Sequence, residues 1–116
     1  MIETIGDRLA DVLSEFIAIA RDQDGTERMP YAVYSLDIAP GYVKGGIYKY
    51  SGTMYIYVYA ANADAADTLM DQVISAIGTS MQDDVYRSRL MSASSNDDNG
   101  RFVRTLEYSI SQFNKQ

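Results

Sequence analysis

The chain has 116 residues, 47% hydrophobic and 22% charged, with ten basic and sixteen acidic side chains and a net charge of −6. This is globular composition, long enough to bury a core without disulfides or metal. With no Cys and no His, it excludes thiol nucleophiles, redox pairs, Cys- or His-ligated zinc and a Ser-His-Asp triad, and the acidic total argues against a phosphate-gripping surface.

No apolar run approaches bilayer length, and the opening MIETIGDRLADVL reads as an amphipathic segment rather than a secretory signal. Ile2, Ile5, Leu9, Val12, Leu13, Phe16, Ile17 and Ala20 recur at offsets of three and four, which predicts one helix over residues 2 to 20. Its stop is expected at RDQDG, with Gly25 as the terminating residue. The period then changes to two in MPYAVYSLDI. Ala32, Tyr34, Leu36 and Ile38 alternate with Tyr31, Val33, Ser35 and Asp37, a strand pattern that Pro30 can open. APGYVKGG, residues 39 to 46, is either a loop or the tip of a long hairpin.

YKYSGTMYIYVYAAN, residues 48 to 62, carries the next strand. Met54, Ile56, Val58 and Ala60 share one face, and Tyr55, Tyr57 and Tyr59 share the other. Tyr48 and Tyr50 have the opposite parity to those three tyrosines, so only a bulge at Gly52 would bring all five together. A second helix follows, with Asn62 as N-cap, Asp64 and Asp67 in its early turns and Gly78 as its stop. Its stripe is Ala66, Leu69, Met70, Val73, Ile74 and Ile77. Two further strands, roughly 85 to 94 and 101 to 112, are expected to flank SSNDDNG, with the turn at Asn99-Gly100. On the last strand Phe102, Leu106, Tyr108 and Ile110 share a face. Arg104 interrupts it, which suggests an edge position.

The order helix-strand-strand-helix-strand-strand predicts an α+β two-layer domain over residues 1–112. Its four-stranded antiparallel sheet carries two helices on one face, and residues 113–116 form a frayed end.

Candidate chemistry is thin. DQDGTE at 22 to 27 places Asp22, Asp24 and Gly25 as in a calcium loop, but a strand follows where an EF-hand needs a helix. NDDN at 96 to 99 and the pair Asp83-Asp84 offer oxygen ligands, yet both suit turns equally well. GYVKGG lacks the spacing of a phosphate-binding loop. No catalytic, cofactor or metal set is therefore assigned. The tyrosines allow three readings: base stacking on an open sheet, protein contact, or plain covering of the sheet's outer face. Stacking ranks last, because no basic surround is evident in sequence.

PYAVY at 30 to 34, MYIYVYAANADAADTLMDQVISAIG at 54 to 78 and NDDNGRFVRTLEYSI at 96 to 110 together resemble the small tail-completion proteins of long-tailed phages. This family is related in fold to siphophage tail terminators. The matching features fall on Pro30, Tyr31, Tyr59, Ala60, Ala66, Leu69, Val73, Asp97, Gly100, Arg101 and Tyr108. The resemblance implies a non-enzymatic homo-oligomer, a ring usually of six subunits that caps the tail tube and meets the head-side connector. It implies a place in the virion tail, assembly in the bacterial host cytoplasm, and DNA passing through the lumen without specific binding. The expected contact surface comprises Tyr42, Lys44, Tyr48 and Tyr50 of the hairpin with Tyr55, Tyr57 and Tyr59, and salt bridges from Arg87, Arg89, Arg101 and Arg104. The alternative reading is a small nucleic-acid- or ligand-binding module that uses the tyrosine face.

Overall fold

In the computed structural model, which describes residues 4–21, 30–98 and 101–113, the chain runs through two helices and five strands. They are α1 (Ile5–Leu13), β1 (Ala18–Arg21), β2 (Tyr31–Val43), β3 (Gly46–Ala60), α2 (Ala63–Ser80), β4 (Tyr86–Asp98) and β5 (Arg101–Phe113). The strands form one sheet in the order β1-β2-β3-β5-β4, parallel between β1 and β2 and antiparallel elsewhere. The α+β class and the placement of both helices on one sheet face agree with the sequence reading. The four-stranded antiparallel sheet does not: the sheet is five-stranded and mixed.

The extra strand comes from the predicted first helix. Thr4 caps α1 by accepting the Asp7 N–H at 3.2 Å, and Ile5, Leu9 and Leu13 are fully buried. The helix ends at Leu13, whose carbonyl accepts the N–H groups of both Phe16 and Ile17. Residues 16 to 20, FIAIA, form an unbroken apolar run that fits either period, so periodicity alone cannot choose. Pairing decides it. Ala18–Arg21 gains a ladder with Tyr31–Tyr34, while Ile17 stays buried and Ile19 packs against the core. The proposed stop at Gly25 and the acidic loop at 22 to 27 lie outside the described residues.

β2 and β3 make a long hairpin, which settles the choice left open for residues 39 to 46. Lys44 and Gly45 form the turn, and Gly45 has φ of +108°, a conformation that favours glycine. The β2–β3 register runs unbroken from Tyr31↔Tyr59 to Gly41↔Lys49, so no bulge lies at Gly52 to bring the five tyrosines to one side. Gly52 serves another purpose. A Cβ there would lie 2.0 Å from the Asp37 carbonyl oxygen and 2.8 Å from Ile38 Cα. The register shifts instead between Gly41 and Tyr42, where Tyr42 pairs with Ile47 and leaves Tyr48 as the extra residue.

Asn62 caps α2 by accepting the Ala65 N–H at 2.8 Å. The helix does not stop at Gly78 but continues to Ser80, closed by the Met81 N–H to the Ile77 carbonyl. The Arg8 guanidinium of α1 donates twice to the Ser80 carbonyl, at 3.1 and 3.2 Å, placing a cation at the negative end of α2. β4 runs past residue 94 to Asp98, because β5 supplies a partner for each of these polar residues. The expected turn at Asn99-Gly100 lies outside the described residues, as do residues 114 to 116; Phe113 is the last residue of β5.

One irregularity in β4 matters to the core. Leu90 pairs with Tyr108 but Ser92 pairs with Glu107, so Met91 is an extra residue and parity inverts after it. Before it Tyr86 and Ser88 face the helices; after it Ala93, Ser95 and Asp97 do. Asp97 thus reaches Arg104, which the sequence pattern places at an edge. The edge position is not found: β5 lies between β3 and β4, and Arg104 is only 4% exposed on its core face.

Candidate interaction surface

The sheet's outer face is built by strand parity. Tyr31, Val33, Ser35 and Asp37 come from β2, Thr53, Tyr55, Tyr57 and Tyr59 from β3, and Val103, Thr105 and Glu107 from β5. Direct cross-strand pairing sets the neighbours: Tyr55 lies between Ser35 and Glu107, Tyr57 between Val33 and Thr105, and Tyr59 between Tyr31 and Val103. Tyr55, Tyr57 and Tyr59 are each half-buried, so their rings cover the sheet while keeping one side open.

At the Tyr59 end the surface closes on itself. The Tyr31 and Tyr59 rings stack at 4.6 Å with 17° between planes. Arg101 lies 5.0 Å over the Tyr59 ring and donates to the Tyr31 hydroxyl at 2.8 Å. Stacking and cation–π contact each add on the order of 1 kcal/mol beyond area burial. Tyr59 and Arg101 are therefore engaged within the chain, and Tyr31 is the partner that sequence reasoning missed. Only the hairpin register brings Tyr31 opposite Tyr59.

The hairpin end is different. Tyr42 is 71% exposed and Tyr48 47%, and Lys44 is exposed beside them. Tyr48 meets Phe113 edge-on at 5.9 Å, and the Lys49 ammonium lies 6.0 Å over the same ring. Tyr50 faces the other way and packs against the core. Arg87 and Arg89 are exposed on the outer face, paired with Ser111 and Ser109. The four arginines grouped in sequence are thus split. Arg87 and Arg89 lie toward the hairpin end and Arg101 toward the other, while Arg104 lies beneath α2.

Arg104 forms the one buried ionic network among the described residues. Its Nε reaches Asp67 at 2.7 Å and its Nη1 reaches Asp97 at 3.0 Å. The hydrogen bond to Asp67 is the largest influence raising its pKa further, against the opposing cost of burial. The network ties the first turns of α2 to the β4–β5 end. Asp83 acts locally. It accepts the Tyr86 and Val85 N–H groups at 2.9 and 2.8 Å, which lowers its pKa below the ordinary 3.8. No three acidic side chains among the described residues converge as metal ligands, and no described helix is long and apolar enough to cross a membrane.

Two helices on one face of a long five-stranded mixed sheet define a two-layer α+β protein. No protein-family model and no curated protein matches the chain. Among solved structures, the bacteriophage SPP1 gp17 protein has the same fold, with a TM-score of 0.53 over 90% of this chain and 86% of that one, at 13% sequence identity.

Proposed function

We propose that this chain is a phage tail-completion structural protein that acts by assembly and not by catalysis. The observation that carries this reading is the fold it shares with a bacteriophage protein along nearly its whole length. That likeness of backbone meets a motif order that already resembles tail-completion proteins. In this reading the copies close into a ring at the head-proximal end of the tail tube. Its partners are the tube protein below and the head-side connector above, and its place is the virion tail after assembly in the host cytoplasm. The hairpin end, with Tyr42, Lys44 and Tyr48, is the tail-tube contact: exposed aromatic rings flanked by cations supply area and adaptable hydrogen bonds.

Deleting the gene from the phage that carries it tests the reading. The expected result is heads and tails that fail to join, or tails of uncontrolled length, restored by the gene supplied in trans. Infectious particles with normal tails in the deletion strain would overturn it.

A further inference from the structure

Charge is segregated between the two layers of the molecule. The exposed helix layer carries Asp7, Asp11, Glu15, Asp64, Asp67 and Asp71, with Arg8 committed to the Ser80 carbonyl. The outer sheet face carries Lys49, Arg87, Arg89 and Arg101 against Asp37 and Glu107. The cations concentrate toward the hairpin end, where Arg87 and Arg89 form no ion pair with any described residue and stand beside the hydroxyls of Ser109 and Ser111. On the opposite layer, an open groove of about 570 Å³ runs between α1 and α2. Val12, Phe16 and Ala76 give it an apolar lining, Asp11 and Glu15 are carboxylates on it, and Arg8 lies on it as well with its guanidinium held by the Ser80 carbonyl.

We infer that the cationic end of the outer sheet face seats in the α1–α2 groove of a second copy of this chain. The groove suits an arginine: the aliphatic stem covers Val12 and Ala76, the guanidinium stacks on Phe16, and Asp11 or Glu15 accepts its N–H groups. Arg87 and Arg89 project from one edge strand on one face, two residues apart, so both can enter together. The two surfaces lie on opposite layers, so the contact is heterologous and each copy keeps one of each free. Such contacts propagate, and they close into a ring when the rotation permits. The inference names the partner of the sheet surface and rests on the tail-completion reading only for expecting copies to meet. Its test uses purified protein alone.

The test is a charge exchange. One variant carries Arg87→Glu and Arg89→Glu; the other carries Asp11→Lys and Glu15→Lys, positions that are all exposed and clear of the Arg104 network. Sedimentation velocity of the native protein should show concentration-dependent association that weakens roughly tenfold or more on raising salt from about 50 to about 500 mM, as expected for screened charges. Each variant alone should remain monomeric with an unchanged circular dichroism spectrum. Their equimolar mixture, in which both surfaces are again complementary, should recover association. Native protein that stays monomeric at every concentration would overturn the proposal, as would variants that associate like the native chain or a mixture that fails to associate. Binding of a single-stranded oligonucleotide that is lost in Arg87→Glu/Arg89→Glu, with no self-association in the native protein, would assign the surface to nucleic acid instead. A phage deletion phenotype is unaffected by any of these outcomes, so the two readings fail separately.

Discussion

Single atoms decide several features of this protein. The Tyr108 hydroxyl is buried with no hydrogen-bond partner among the described residues, and burial pushes its pKa up to about 12. Below the ordinary value of 10.0 the phenol keeps its proton in both folded and unfolded chains. Between that value and about 12 the unfolded chain loses its proton first, so Tyr108's contribution to stability is lost as pH rises through that window. Tyr108→Phe should stabilise the fold by about 1 kcal/mol, read from urea unfolding, because it removes an unsatisfied polar atom and leaves the ring. It should also remove from an absorbance titration the ionisation that falls at about 12. Gly52 is constrained the other way. Gly52→Ala would push a methyl into the Asp37 carbonyl, and a loss of about 3 kcal/mol or more by urea unfolding is expected from that strain. Arg104 differs from both, since its charge is buried and paired. Asp67→Asn with Asp97→Asn should cost about 3 kcal/mol or more by leaving the guanidinium unpaired, whereas Arg104→Met, which removes the charge itself, should cost less.

At the scale of elements, the bulge at Met91 is the feature with most consequence. It inverts strand parity and turns Asp97 toward Arg104. Deleting Met91 should remove the bulge yet leave Asp97 opposite Phe102 and facing Arg104, because Ser92 then follows Leu90 directly in the same register. The expected result is that Asp97→Asn costs the same with and without the deletion, measured by urea unfolding as a double-mutant cycle; a deletion that abolishes the cost of Asp97→Asn would show that the register has slipped instead. The helices are more legible in sequence than the strands' irregularities. Asn62 is readable as a cap because a short polar side chain before an amphipathic run has one dominant use. The alternation of Met54, Ile56, Val58 and Ala60 with tyrosines likewise identifies which side is core, and those four residues are 1% exposed or less. Gly78 misleads, since a glycine near a helix end is a permissive signal and not a compulsory stop. The FIAIA segment misleads because alternating isoleucine and alanine satisfies both periods.

At the scale of the whole molecule, long strands give an elongated body of 52 × 23 × 23 Å. The β2–β3 tip lies at the end opposite the Tyr31–Tyr59–Arg101 cluster. Tyr42 and Tyr48 at that tip contribute little to folding, so Tyr42→Ala with Tyr48→Ala should change stability by less than about 1 kcal/mol. The same variant should fail to co-sediment with tail tubes, which separates a contact role from a folding role. The net charge of −6 conceals the molecule's polarity. Arg87, Arg89 and Lys49 are far apart in the chain, and only sheet pairing collects them on the outer face while the helix layer retains the acids. A total charge carries no information about distribution, which is why the cations near the tyrosine face are not evident from composition.

By itself the sequence determined the α+β class, both helix faces, the inward set of β3 and the absence of Cys and His chemistry. Each of these follows from local periodicity or composition, which needs no partner to be read. Tertiary structure alone decided the parallel β1, the engagement of Tyr31 with Tyr59 and Arg101, the burial of Arg104 and the separation of charge between layers. These depend on register between segments distant in the chain. A one-residue shift in pairing reverses every side chain, and nothing local in the sequence specifies it.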